Sequence, residues 1–207
     1  MYSNDFPHDK MGPSMLTFFF IRDHKHNYRF FSSEPAKPIE LKRSKAKEAW
    51  ELAKKKLMLL PQKTLRQEQA FYRSLKIKDP SIRILYSGIA GEHKINHRFH
   101  FFLHRQRTRR IIYLIGETLL LPLTALTMPL PGPNVTFYAL ALLMITHWQS
   151  FIGVRAILKK DHNFIESALV AEWEAAVKSR AEAAFPDILA RIEKEFGLKG
   201  LRKVLWK

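Results

Sequence analysis

No cysteine occurs in the chain, which excludes a disulfide framework, thiol catalysis and a cysteine-ligated metal. Acid is scarce as well: 19 Asp and Glu stand against 35 Lys and Arg, a net charge of +16. Charge of either sign is missing from the middle of the sequence. From Thr118 to Thr146, 29 consecutive positions hold no Asp, Glu, Lys, Arg or His. No glycine loop of the phosphate-cradling kind, no Gly-x-Ser-x-Gly elbow and no His-Glu-x-x-His pair is present, so nothing reads as an enzyme and no cofactor is expected. The first residues, Met1 to Ser14, carry acids and prolines and no apolar core. They resemble neither a secretory signal nor the acid-poor amphipathic helix of a mitochondrial presequence.

The basic excess is uneven. Residues 1–110 hold 24 basic and 10 acidic side chains, residues 155–207 hold 11 and 8, and Glu117 is the single formal charge between them. A chain this basic suits nucleic acid or an anionic membrane surface. Its segregation around an uncharged block favours the membrane, and no nucleic-acid-binding motif accompanies the charge, so no nucleic-acid partner is expected.

That block reads as a transmembrane helical hairpin over residues 111–154. Ile111 to Pro131 and Asn134 to Val154 are 21 residues each, enough at 1.5 Å per residue to cross roughly 30 Å of hydrocarbon. Between them, Pro131, Gly132 and Pro133 cannot continue a helix, and Asn134 is a natural N-cap for the second arm. Arg105, Arg107, Arg109 and Arg110 precede the hairpin, and Arg155, Lys159 and Lys160 follow it. Basic clusters on both exits predict both termini in the cytoplasm or matrix. The competing reading is a buried hairpin in a soluble bundle; Pro122 and Pro129 in the first arm also leave room for a shallow re-entrant hairpin.

Residues 1–89 read as a small N-terminal cytosolic α+β region. Residues 15–21 and 28–31 are aromatic-rich strands around a polar turn, Ile82 to Tyr86 is a third, and residues 39–60 and 64–75 are helices. The first of those helices is basic and amphipathic, fit to lie on an anionic bilayer or to pack on the sheet. Residues 90–110 form a His- and Arg-rich juxtamembrane helix running directly into the hairpin. Residues 155–207 read as C-terminal amphipathic helices: a helix or helix pair over 164–195 broken near Pro186, then a short basic helix after Gly197.

Two constellations carry possible chemistry. His93, His97, His100 and His104 lie within about 40° of one helix face, a spacing open to metal ligation, to pH sensing between about pH 5 and 8, or to no role beyond a polar interfacial face. Glu117 and His147 stand 15 positions before and after Gly132. In an antiparallel hairpin they share a depth, and an ionisable pair inside a spanning segment is a candidate for proton coupling. A structural lock between the two helices satisfies the same spacing, and Glu117 is close enough to Arg110 to snorkel.

The stretch Pro129-Leu-Pro-Gly-Pro-Asn134-Val-Thr-Phe-Tyr138, with His147-Trp148 and Gly153-Val-Arg155, resembles the mitochondrial potassium–proton exchange-related family. The resemblance places Asn134, Tyr138, His147 and Arg155 on that family's motif positions. It implies a part in cation–proton exchange across an inner membrane, as a component or regulator. The missing presequence suggests a bacterial relative in the inner membrane rather than a mitochondrial protein. The expectation is therefore a mainly α membrane protein with one hairpin, a small N-terminal α/β part and C-terminal helices. Its partners would be lipids and either further copies of itself or other membrane subunits, because two helices cannot enclose a conduction path. A membrane-anchored scaffold for soluble partners and a peripheral lipid-binding protein are the alternatives.

Overall fold

A computed structural model describes residues 15–34, 62–77, 79–125, 135–198 and 201–206. The helix expected over 39–60 and the hairpin turn with Pro131, Gly132, Pro133 and Asn134 lie outside the described residues.

The aromatic run near the start forms β1 (Met15–Arg22), paired antiparallel with β2 (Tyr28–Ser32). Asp23 closes the connection by accepting from the Lys25 and Asn27 amides at 3.0 and 2.8 Å and pairing with Arg29. The expected third strand is β3 (Ser81–Tyr86), parallel to β1, with Phe18 opposite Ile84. A fourth, β4 (His162–Glu166), pairs parallel with β3 and completes the order β2-β1-β3-β4.

β4 corrects the helical reading of residue 164 onward. Phe164 and Ile165 are too short an apolar run to separate strand from helix by periodicity; the open edge of β3 decides it by taking their backbone hydrogen bonds. The C-terminal region thus adds a strand to the sheet expected from the N-terminal region.

Layers on both sides bury the sheet, which explains why β1 carries large apolar residues on both faces rather than alternating. Leu16, Phe18 and Phe20 share one face with Phe30, Ile82 and Ile84. Against them pack Ala70 and Phe71 of α1 (Gln62–Lys76), Ile95, Phe99 and Leu103 of α2 (Glu92–Ala125), and Val154 and Ile157 of α3 (Val135–Leu158). Phe19, Ile21, Phe31 and Leu85 face the other layer. That layer is α4 (Ala168–Ser179), α5 (Phe185–Glu195) and α6 (Arg202–Leu205), with Trp173 fully buried at its centre.

Local signals set the helix ends. Ser167 caps α4 by accepting from the Val170 amide, and Arg180 ends it in the left-handed region at φ 56°. Pro186 opens α5, where its missing donor costs nothing. Gly197, at φ +61°, lets the Leu198 amide return to the Glu193 carbonyl at 2.8 Å.

Helices α2 and α3 are the crossover between the parallel strands β3 and β4. The His- and Arg-rich helix and the first hairpin arm are one helix of 34 residues, which continues past Pro122. Among the described residues one helix is long and apolar enough to cross a membrane, α3 over Leu140–Leu158. The described part of α2 beyond Arg110 has 15 residues, roughly 22 Å.

Candidate functional site

The lower halves of α2 and α3 grip the sheet; their upper halves leave it. Above Arg110, α2 turns Ile112, Ile115, Leu119, Leu120 and Leu123 outward, Leu119 being 71% exposed. On α3 the outward residues are Ile145, Trp148 and Ile152, and 33% of the Leu140–Leu158 segment is buried. A core helix of a soluble domain hides such a face; these two do not.

Glu117 and His147 meet between the upper halves, His147 Nδ1 lying 2.6 Å from Glu117 Oε1. Glu117 is buried and His147 half-buried. Tyr113, one turn before Glu117, lays its ring against the imidazole with centroids 5.1 Å apart. The Tyr113 hydroxyl accepts from Arg109 Nε at 2.7 Å. Thr118 and Thr146, open to bridging the helices, donate to their own helix at the Leu114 and Leu142 carbonyls.

Below this pair lies a buried contact with no signature in the sequence. Glu68 of α1 pairs with Arg110 of α2 through one carboxylate oxygen and accepts from Ser150 Oγ of α3 through the other. All three side chains are buried, so one carboxylate pins three helices. Removing one partner of such a pair leaves an uncompensated buried charge. Next to it α1 and α3 approach at Gly153, where an added Cβ would stand 2.0 Å from the Phe71 carbonyl oxygen. Ser74 Oγ donates to the carbonyls of Phe71 and Gly153 at 2.7 and 3.2 Å across the same contact. The helix expected over residues 64–75 is α1, but its polar composition hid its burial: Arg66, Gln67, Glu68 and Ser74 are all buried, where periodicity expects apolar residues.

The histidine face is placed as the spacing predicts, with His93, His97 and His104 exposed and His100 half-buried. Among the described residues no group of three or more His, Cys, Asp or Glu side chains is arranged to hold a metal ion. His100 instead meets His162 of β4, ring centroids 5.1 Å apart. Burial holds the His162 imidazole below its ordinary pKa, and His100 adds to the effect, against the Ile157 carbonyl and Asp161. On the far face of the sheet, burial raises the Glu174 carboxyl although Ser87 Oγ donates to it at 2.8 Å. Arg155 is exposed on α3, its guanidinium 5.9 Å from the Phe151 ring centre; Tyr138 lies in the first turn of α3.

No family model, no curated protein and no solved structure matches the chain.

Proposed function

We propose that the protein is embedded in a membrane through the upper halves of α2 and α3 and takes part there in potassium/proton exchange, as one subunit of an oligomer. The contact between Glu117 and His147 carries this reading. A carboxylate and an imidazole 2.6 Å apart hold one proton between them, in a segment whose large outward side chains are apolar. Ionisable groups so placed are costly in hydrocarbon and are kept where charge must be handled. The family resemblance supplies potassium as the exchanged cation. Two helices do not enclose a path, so the route runs between copies or beside another membrane subunit.

Alkaline-carbonate extraction of membranes tests the embedding: the protein stays in the pellet, and release to the supernatant overturns it. For exchange, the purified protein is reconstituted and proton flux is followed on imposing a potassium gradient. Flux is expected from the unmodified chain and lost in Glu117→Gln and His147→Ala at equal insertion. Undiminished flux from both inserted variants would remove the pair from the mechanism.

The scaffold reading draws on a different observation. Among the described residues, the cores on both faces of the sheet take no side chain from the upper hairpin. This reading predicts no flux and a soluble protein that co-purifies in fixed ratio.

A further inference from the structure

The Glu117–His147 contact sets the register of α2 against α3 and so aligns the rest of their outward faces. Eight residues toward the domain from this pair, Arg109 stands level with Arg155; five residues toward it, Ile112 stands level with Ile152; twelve residues away, Arg105 stands level with Lys159. At 100° per residue, Arg105, Arg109, Ile112, Leu119 and Leu123 fall on one stripe of α2, and Ile145, Trp148, Ile152, Arg155 and Lys159 on one stripe of α3. Each stripe changes from cationic to apolar, and both change at one height. Arg105, Arg109, Arg155 and Lys159 are exposed. Neither helix carries an acid on its own chain between His93 and Gly116 or between Val135 and Lys160. No described residue forms an ion pair with any of the four. Trp148, 54% exposed, and Tyr113 sit just above the change, where amphipathic rings favour a membrane–water interface.

We infer that these four side chains form a collar that docks on the phosphates of anionic phospholipids and sets the depth of the hairpin. The inference rests on the membrane reading and names the lipid class that reading leaves open. Four cations on two levels about 6 Å apart, all on the domain side of the apolar stripes, complement a layer of anionic headgroups rather than a single soluble anion, which would need a closed cleft. Glu117 and His147 then lie about 12 Å beyond Arg109 and Arg155, the nearer level of the collar, inside the near edge of the hydrocarbon. A basic side chain at an anionic surface gains up to about a fivefold preference, screened by salt.

The test uses the full chain reconstituted in phosphatidylcholine vesicles holding a minority of phosphatidylglycerol. Spin-labelled forms of each lipid report the number of lipids immobilised at the protein surface and their relative affinity. Phosphatidylglycerol is expected to be preferred by about threefold or more at low salt. The preference should fall toward one in about 1 M salt, where the Debye length is about 3 Å. It should vanish in a variant combining Arg105→Gln, Arg109→Gln, Arg155→Gln and Lys159→Gln that immobilises as many lipids as the unmodified chain. Equal affinity for both lipids in the unmodified chain, with lipids immobilised, would overturn the collar and leave the embedding standing. A preference that survives the four substitutions would also overturn it. Absence of immobilised lipid of either kind would overturn the embedding itself, and the collar with it.

Discussion

Helices α2 and α3 each hold two different surfaces. Below Arg110, α2 buries Ile95, Phe99 and Leu103 against the aromatic face of the sheet, and α3 buries Val154 and Ile157 beside them. Above it the same helices present Ile112, Leu119, Leu123, Ile145 and Trp148 outward. Charge falls away at this boundary, from six Lys and Arg over residues 92–110 to the single charge of Glu117 over residues 111–154, while large apolar residues occur on both sides. The neighbour of those apolar residues changes too: a sheet below, nothing from the described chain above. Hydrophobicity specifies that a side chain leaves water, and the surroundings specify where it goes.

The sharpest way to probe the contrast is to truncate one residue from each half. Phe99→Ala should cost about 3–5 kcal/mol, the usual loss for a fully buried aromatic, measured by denaturant unfolding of the α/β/α domain in detergent. Leu119→Ala in the same experiment should change stability by less than about 0.5 kcal/mol. Equal losses from both would mean that the upper hairpin is packed against protein after all.

Next in size is the link between the halves. Glu68→Ala strands Arg110 without its counter-ion beside Ser150, at a cost of about 3 kcal/mol or more. Hydrogen exchange should then show α1 and the Arg110 turn of α2 opening together. Exchange confined to α1 would argue that the carboxylate does not join the three helices.

Gly153→Ala tests the closest backbone approach. The new methyl group would overlap the Phe71 carbonyl, so α1 and α3 must move apart, at about 1–3 kcal/mol. A variant as stable as the parent would contradict the contact.

The smallest expected effect is pH dependence at β4. His162 is held neutral by burial, its pKa lowered from the ordinary 6.5. Its contribution is therefore complete above about pH 6.5 and lost as pH falls through the lower folded value, because protonation favours the unfolded chain. His162→Gln should flatten the acid side of the stability–pH curve. An unchanged slope would assign it to other groups.

Much of this arrangement was legible in the sequence. The aromatic strands, the break near Pro186, the Gly197 cap and the continuity of the His- and Arg-rich helix with the first hairpin arm all follow from local rules within a few residues. The contact between Glu117 and His147 was legible for a different reason: two antiparallel helices keep positions counted equally from a common midpoint opposite one another. Glu68 offered no such handle, since its partners Arg110 and Ser150 are 42 and 82 positions away and nothing near them marks the pairing. β4 was missed because five residues hold too few apolar positions to reveal a period.

By itself the sequence determined periodicity, chain reversal, charge segregation and the depth of an ionisable pair, all of which are properties of a short stretch or of counting along rigid helices. Only the tertiary structure decided that the hairpin is a crossover within a four-stranded sheet, that a polar helix is buried beneath it, and that two cationic stripes stop at one height. Those outcomes depend on which distant surfaces meet, and burial energy is blind to sequence distance until the chain has closed.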